Sequence, residues 1–439
     1  MLSGASGMKK LLISILTLII VLLSNTAKSQ LLMDMVDTTK EMGKDMLGLY
    51  QKFNYLRISG YMQPQFQFIS EKGANTYAGP AFNKNVDNRF TLRRGRIRFD
   101  YARFNQSDEV SFQFAFQFDG TERGVNIRDF WGRLFENKWH VMALTGGMFA
   151  RPFGYEVNLS SSDREAPERG RMSQILMKTE RDLGAMLTFE PRVRTHPLRW
   201  LKIDAGIFNG QGLAGSAEYD SYKDFIARAG FKPVNILPGL RISAAISFLN
   251  GGILQNTRYI YSMSRKDSQP VFIVDSSLGN MGGKAPRKYA GADIQLVLNH
   301  SSPYRTILRA EYWKGKQSAT SISSETPGAL INDPIYTRRF DGAFFYLLQN
   351  IGNHQVGLKY DWYDPNTDVQ GMDIKEGAGN FHSADIQFKT LGLGYLNYIN
   401  ENLKLVLWYD LVNNEKTSLE GFSKNLKDNV FTCRLQFRF

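Results

Sequence analysis

Apolar and polar residues alternate along most of this chain, most clearly between residues 110 and 119. The even-numbered positions there are Val110 and four phenylalanines, and all but Ala115 of the positions between them are polar. A repeat of two places successive side chains on opposite faces of a β-strand. Four phenylalanines on one strand face would promote aggregation in water, but they suit contact with lipid.

The last ten residues follow the same pattern. Their odd positions are apolar and include Cys433, Phe437 and Phe439, whereas their even positions after Val430 are polar. Alone, this stretch fits either an edge strand of a soluble sheet or the closing strand of a transmembrane barrel. The pattern in the rest of the chain distinguishes between these two structures.

Sixteen segments after residue 55 show this alternation, and each predicts one strand. An even number is typical of bacterial barrels in which both chain ends lie on the same side. Pro64 lacks an N–H group and predicts a bulge or loose pairing in the first strand. The predicted strands are 56–69, 88–103, 108–118, 125–136, 139–150, 183–190, 200–209, 222–233, 240–249, 287–298, 304–315, 340–350, 353–362, 384–397, 402–411 and 428–439.

The connections between these strands alternate in length. Short turns such as 105–107 and 352–353 are rich in Asn, Gly, Ser and Glu. Long polar connections occupy 151–182, 251–286, 316–339, 363–383 and 412–427. Short turns at one end and long loops at the other are the outer-membrane pattern. The chain is therefore predicted to be all-β, with a transmembrane antiparallel up-and-down β-barrel of about 16 strands over residues 56–439. A hairpin extension is possible within 251–286.

The first 55 residues predict export and a short helix. Lys9 and Lys10 precede the apolar run 11–23, and small residues lie before Gln30, as in a signal peptide cleaved after residue 29. The run is too short to span a bilayer as a helix. Residues 30–55 have apolar positions three and four apart, which predicts an amphipathic helix on the periplasmic side.

Composition agrees with a barrel and narrows the chemistry. Aromatic residues make up 13% of the chain, while a mean hydropathy of −0.32 is unlike that of a helical membrane protein. The single cysteine excludes an intramolecular disulfide framework. The net charge of +12 would also suit nucleic-acid binding. The charges are spread over alternate strand positions, however, which argues against a nucleic-acid partner and fits either a solvated surface or a basic lumen that attracts anions.

Arg94, Arg96 and Arg98 share one face of the second predicted strand. An arginine at the lipid midplane costs about 2–4 kcal/mol, so this face is predicted to line the lumen. Two roles remain open: pairing with luminal carboxylates, or a column of guanidinium groups that attracts anions. The other cations predicted along the anion path are Arg309, Lys359, Arg434 and Arg438.

The connection 151–182 is the second candidate for function. It would narrow the pore if it folded into the lumen, and it would be an ordinary exposed loop if it did not. The charged residues predicted at the constriction are Arg151, Glu156, Arg164, Arg169 and Arg171.

The stretch from Gly147 to Glu156 reads GMFARPFGYE and is followed by serines and by Glu168-Arg169. This run resembles the signature of the phosphate-selective porin O/P family. The arginine-rich second strand and the closing RLQFRF resemble that family too. The resemblance implies a sixteen-stranded barrel in outer-membrane lipid. It also implies a homotrimer and a basic lumen passing small anions such as phosphate. By analogy with outer-membrane proteins of this kind, Phe437 and Phe439 are predicted to form an assembly signal.

Two other classes remain to be weighed. An outer-membrane lipid hydrolase would need a Ser–His pair, and His140 and His354 have no serine motif beside them. A structural barrel with a plugged lumen would have the same strand pattern. The five histidines show no metal-ligand spacing, and neither a catalytic residue nor a cofactor is predicted.

Overall fold

The computed structural model describes residues 55–439 except 108, 214, 216, 301 and 378. The predicted signal peptide, and all of the predicted helical segment except residue 55, lie outside the described residues. Among the described residues, no helix has the length and apolar character needed to cross a bilayer.

The described chain contains one antiparallel barrel sheet. β1 pairs with β18 from Tyr61–Arg438 to Ile69–Val430, which closes the ring. β9 pairs directly with β12, so the hairpin β10–β11 stands outside the ring and sixteen of the eighteen strands form the barrel. The predicted sixteen-stranded barrel is therefore confirmed. The strands are β1 Leu56–Ile69, β2 Asn88–Phe104, β3 Val110–Thr121, β4 Gly124–Phe135, β5 Met142–Ala150, β6 Arg181–Phe189, β7 Leu201–Phe208, β8 Asp224–Leu237, β9 Leu240–Leu254, β10 Ile260–Lys266, β11 Gln269–Asp275, β12 Lys284–Asn299, β13 Tyr304–Ala319, β14 Ile335–Ile351, β15 His354–Asp364, β16 Phe388–Tyr398, β17 Leu403–Asn414 and β18 Val430–Arg438.

The two faces of the barrel have opposite character. Large apolar side chains such as Phe130, Ile246 and Val356 are exposed on the outside, whereas Gln67 and Thr145 are buried inside. Transfer of such an apolar surface from water to lipid is favourable. The outer face is therefore suited to a hydrocarbon environment, as the alternation predicts.

The two ends of the barrel differ as well. Seven connections of at most eleven residues, from 105–109 to 399–402, lie at what we call the short-turn end. The connections at the opposite, long-loop end are longer except for 122–123, and one of them carries the only α-helix of the described residues, α1 (Arg171–Leu176). β12, β13 and β14 extend further towards the long-loop end than predicted. Cross-strand pairing continues there although the apolar alternation has faded.

The hairpin β10–β11 accounts for part of this extension. β10 runs parallel to the start of β14, with Ile260 opposite Ile335 and Ser262 opposite Thr337. Tyr261 stacks on Tyr336 with ring centroids 4.4 Å apart. The hairpin that was possible within 251–286 is thus present and attached to β14.

Two bulges, one between β1 and β2 and one between β3 and β4, change which residues of β2 and β4 point into the lumen. Beside Pro64, Met62 pairs with Gly95 and Pro64 with Leu92, so Arg93 and Arg94 together face a single residue of β1. In β4 the pairing slips in the same way, and the adjacent Arg128 and Asp129 both point inward. A bulge leaves one extra residue and redirects its side chain. The bulge predicted at Pro64 is confirmed, and each bulge adds a charged group to the lumen.

Phe439 continues the pairing that closes the barrel. Its N–H donates to the carbonyl oxygen of Gly60 at 3.0 Å, and its carbonyl accepts from the Gly60 N–H at 3.1 Å. The Phe439 ring covers Gly60, where a Cβ atom would overlap it. An aromatic ring over a strand glycine stabilises an otherwise weak pairing position.

Deleting Phe439 should lower the yield of inserted barrel more than it changes the conductance of the barrels that form. The deletion removes two closing hydrogen bonds and the ring over Gly60, but no group of the lumen. Heat-modifiable mobility on gels measures the folded fraction, and single-channel recording measures conductance. Phe439→Tyr, which keeps the ring, should assemble normally. Normal assembly of the truncated chain would refute the predicted signal.

Candidate functional site: the loop inside the barrel

The connection 151–180 between β5 and β6 folds back into the barrel, and we call it the lumen loop. Its Gly154 N–H donates to the Ser247 hydroxyl of β9 at 3.1 Å. On the opposite wall, the Tyr61 hydroxyl of β1 hydrogen-bonds Ser161 at 2.6 Å. β1 and β9 stand eight positions apart in the sixteen-strand ring, so the loop crosses the lumen.

A hydrophobic core inside the barrel holds the first and last parts of the lumen loop. Phe153 meets the Trp313 ring edge-on, with centroids 4.7 Å apart. The buried apolar residues of the loop in this core are Phe153, Val157, Met172, Ile175, Leu176 and Met177. Burying one such side chain contributes about 1.5–3 kcal/mol. The wall residues around them are Phe149, Met186, Phe208, Ile226, Leu249, Tyr289, Trp313, Phe340 and Tyr363.

The carboxylate of Glu311 on β13 receives the backbone of the lumen loop. It accepts the N–H groups of Tyr155 and Glu156, both at 2.9 Å, and the indole N–H of Trp313 at 2.6 Å. Gly154 has a φ of +68° there, and a Cβ atom would overlap Glu311 and Trp313. Backbone N–H groups aimed together at one carboxylate form an anion-binding concavity. Here the acceptor is a side chain of the barrel wall.

Glu156 joins the two halves of the lumen loop. Its carboxylate oxygens accept the Gly170 N–H at 3.0 and 2.9 Å and also bind the Ser173 hydroxyl. Gly170 precedes α1, so the carboxylate lies at the positive end of that short helix. Glu156, predicted at the constriction, is buried in this role.

Glu168 fastens the far side of the loop to the wall. It accepts from Arg93 at 2.8 Å, Arg94 at 2.7 Å and Arg434 at 2.9 Å, and we call these four residues the Glu168 cluster. Burial alone would raise the pKa of Glu168, but the three guanidinium groups hold that pKa well below its ordinary value of 4.5. The carboxylate is therefore charged at neutral pH.

A second set of ion pairs follows the inner face of β2, β3, β4 and the end of the loop. We call it the charged wall, and its bonds are Arg96–Asp119 at 2.9 Å, Arg98–Asp100 at 2.7 Å, Arg128–Glu180 at 2.7 Å and Arg181–Asp129 at 3.0 Å. The Arg98 side chain keeps 29% exposure, against 5% for Glu168. Solvent thus reaches part of the charged wall, whereas Arg94, Arg434 and Glu168 are buried.

Positive charge exceeds negative charge in these two sets. Arg169, which also pairs with Glu180, brings the total to eight arginines and five carboxylates. Pairing with luminal carboxylates and attraction of anions, the two roles left open for Arg94, Arg96 and Arg98, therefore both apply in part. The arginines are paired, and three positive charges remain uncompensated within these sets.

A cavity of about 360 Å³ lies below the tip of the lumen loop at the short-turn end. Within it, Arg309 pairs with Glu165 at 2.6 Å and Arg438 with Asp163 at 3.2 Å. Its acidic residues are Asp163, Glu165 and Glu401. Its basic residues are Arg241, Arg305, Arg309, Lys404 and Arg438. The short-turn mouth is thus more basic than acidic.

The predicted anion-path residues differ in their access to solvent. Arg94, Arg96 and Arg434 are buried in the ion-pair sets, whereas Arg98, Arg309 and Arg438 retain partial or full exposure. Lys359 points inward but is buried in a pair with Asp361 at 2.9 Å. Of this predicted set, Arg98, Arg309 and Arg438 are the residues that solvent can reach.

The four arginines predicted at the constriction are all buried in the packing of the loop. Arg169 donates to the carbonyl oxygens of Ser173 and Met177, and Arg151 to that of Thr179. The Arg171 guanidinium stacks between the rings of Tyr77 and Phe388, 4.4 and 3.8 Å from their centroids. Burial and the nearby Arg94 lower the pKa of Arg164 to about 10. These side chains hold the loop together.

The histidines considered for hydrolysis have other partners. His354 bonds the Tyr395 hydroxyl at 2.7 Å, and His140 lies 3.5 Å from Glu109. Within the described part of the chain, no serine hydroxyl is hydrogen-bonded to a histidine ring. The Ser–His pair that a hydrolase would need is not assembled there.

Comparison with known proteins shows the fold of this chain. No protein-family model and no curated protein sequence matches it. The outer membrane channel DcaP of Acinetobacter baumannii is similar over 88% of this chain and 97% of its own, with 13% identity and a TM-score of 0.51. OprB of Pseudomonas putida is similar over 91% of this chain and 98% of its own, with 9% identity and a TM-score of 0.59. The chain therefore has the barrel fold of outer-membrane porins.

Proposed function

We propose that this chain is an outer-membrane porin through which small hydrophilic solutes diffuse past the lumen loop, with a preference for anions. The observation that carries the proposal is the charged wall, whose Arg98, Arg128 and Arg181 side chains face inward and keep partial contact with solvent beside the buried loop. Lumen charges set the ion preference of a pore. The excess of guanidinium groups over carboxylates favours anions.

Phosphate is one solute of this class. Arginine donates paired hydrogen bonds that match phosphate geometry, and Arg98 and Arg128 are partly exposed arginines of the charged wall. Glu156 and Glu168 do not oppose anions in this passage, because each is enclosed by its own hydrogen bonds or ion pairs. The passage is therefore proposed to admit small anions, phosphate among them.

Reversal potentials in planar bilayers should show anion preference in a KCl gradient. Arg98→Gln/Arg128→Gln should move the chloride-to-potassium permeability ratio towards unity, because it removes two partly exposed lumen charges. The matched control is Arg103→Gln/Arg123→Gln, which removes two exposed cations from the rims. It should leave the ratio unchanged. A cation-selective wild-type pore would contradict the proposal.

A barrel closed by the lumen loop is the second candidate. The hydrophobic core between the loop and nine wall strands favours it, since that core fills one side of the lumen. In that case the wild-type protein shows no ion steps, whereas a variant lacking residues 153–177, which include all the loop residues of that core, does. Steps in the wild-type protein exclude the closed barrel.

Location and assembly belong to the same proposal. The exposed apolar band supports insertion in outer-membrane lipid. The motif resemblance leads us to propose a homotrimer, which analytical ultracentrifugation in detergent would test. A monomer under all detergent conditions would contradict it.

A further inference from the structure

Three cations stand in a row across neighbouring strands on the outer face of the barrel. Lys288 of β12 lies directly opposite Lys316 of β13, which lies directly opposite Arg339 of β14. All three are exposed, whereas Arg287 and Arg338 beside them point inward and are buried. We call Lys288, Lys316 and Arg339 the basic row.

The protein itself does not balance this row. Lys288 and Lys316 have no ion-pair partner among the described residues, and Arg339 reaches Asp368 at 3.7 Å with 64% of its side chain exposed. Like charges directly opposite each other on one face destabilise a sheet. Three of them in succession therefore call for an anion from outside the chain.

The nearby acid Asp341 is already engaged. It lies opposite Lys314, two residues below Lys316 on the same face. Its carboxylate accepts the Trp362 indole N–H at 3.2 Å and the Tyr312 hydroxyl at 3.3 Å. Asp341 is thus tied to two aromatic side chains below the row.

A recess borders the row on the side of the hairpin. This cavity of about 220 Å³ is lined by Lys316, Arg339 and the exposed Arg265 of β10. Its other polar lining residues are Ser262, Ser264, Thr337, Arg338 and one acid, Asp368, so four cations face a single carboxylate there. Guanidinium, ammonium and hydroxyl donors around one recess are suited to a phosphate group.

The position of the row along β13 identifies which phosphate it would meet. Tyr304 and Tyr312 are exposed on the outer face with Leu308 between them. They lie about 26 Å apart along the strand, which is about 20 Å along the barrel axis at a strand tilt of about 40°, so the two rings span most of the apolar band of about 25 Å. Lys316 lies a further 13 Å or so along the strand beyond Tyr312. This is the level of the lipid headgroups at the long-loop end.

We propose that the basic row and its recess bind the phosphate groups of a phosphorylated lipid in the leaflet at the long-loop end. Lys316 and Arg339 would hold one phosphate at the recess, and Lys288 would contact a neighbouring phosphate oxygen. Binding would remove the repulsion within the row. The site is separate from the lumen, so it does not depend on what the barrel conducts.

Fluorescence titration of the detergent-solubilised full-length protein with diphosphoryl lipid A should test this site. Lys288→Gln/Lys316→Gln should weaken binding about tenfold or more, because it removes two charge-assisted contacts to phosphate. Wild-type binding should also weaken with salt. Removing like charges from an exposed row should leave folding intact, which heat-modifiable mobility checks.

The control variant is Arg103→Gln/Lys138→Gln, which removes two exposed cations near the short-turn end. It should bind the lipid as the wild type does. Millimolar inorganic phosphate should bind the basic row far more weakly than the lipid, which separates a lipid site from a free-phosphate site. Three outcomes would overturn the proposal. The wild type and both variants could bind the lipid equally well, both variants could lose the same amount of binding, or the protein could bind inorganic phosphate in preference to the lipid.

Discussion

Replacing Glu168 by alanine should detach the lumen loop from the wall formed by β1, β2 and β18. The carboxylate is shared by Arg93, Arg94 and Arg434, and its removal leaves buried guanidinium groups without their partner. Breaking a buried ion pair from one side costs about 3–5 kcal/mol. The barrel hydrogen bonds are untouched, so we expect loss of loop order inside an intact barrel. Single-channel conductance should rise, and its noise should increase.

Glu165→Ala is the matched control, because Glu165 is also a buried acid of the loop but pairs with Arg309 alone. It should change conductance much less. Tryptic cleavage within the loop gives an independent measurement, since Arg164 and Arg169 are buried in the folded loop. Unchanged conductance together with unchanged protection of the loop in Glu168→Ala would show that the cluster does not hold it.

The Glu168 cluster also makes the conductance depend on pH. The pKa of Glu168 is held below its ordinary value of 4.5 in the folded protein. Its contribution to stability is therefore fully present above that ordinary value and is lost only as pH falls through the depressed folded pKa. Conductance of the wild type should stay level from pH 7 down to about 4.5 and rise only at lower pH.

The barrel could be predicted from sequence because lipid and lumen impose opposite demands on successive residues. The four phenylalanines of β3 and the polar residues between them reflect this directly. The parity of Arg96 and Arg98 likewise placed them inside, as their ion pairs with Asp119 and Asp100 show. The two-residue repeat shows which face of the strand each side chain lies on, even when the residues that it contacts are unknown.

The inward positions of Arg93 and Arg128 were missed because strict alternation assigns Arg93 and Arg94 to opposite faces. A signal was present in the sequence. The apolar positions around Arg93-Arg94 change from even to odd numbers, and those around Arg128-Asp129 slip in the same way. Such a slip between two adjacent charged residues predicts a bulge with both side chains on one face.

The roles of the loop acids could not be predicted at all. Glu156 and Glu168 are twelve residues apart in a segment without a repeat, and their partners lie on α1, β2 and β18. Glu311 receives the loop backbone, and the alternation along β13 does not indicate that role. Long-range partners decide these roles, and periodicity carries no information about them.

Replacing Gly154 by alanine should displace the lumen loop at its other anchor. A left-handed backbone costs a residue other than glycine about 1–2 kcal/mol, and the new Cβ atom would also overlap Glu311 and Trp313. The N–H groups of Tyr155 and Glu156 would then move away from the Glu311 carboxylate. We expect faster tryptic cleavage within the loop and a change in conductance.

Gly371→Ala separates the two causes of this effect. Gly371 has a φ of +58°, close to the +68° of Gly154, but nothing lies within 4 Å of the position of its Cβ atom. The Gly371→Ala variant should have the backbone strain but no displacement of the lumen loop, so its tryptic cleavage within the loop and its conductance should match those of the wild type. Gly154→Ala/Glu311→Asp shortens the overlapping carboxylate and should restore part of the protection. If Gly154→Ala behaves like Gly371→Ala, contact with Glu311 does not position the loop, and the hydrophobic core around Phe153 must hold it alone.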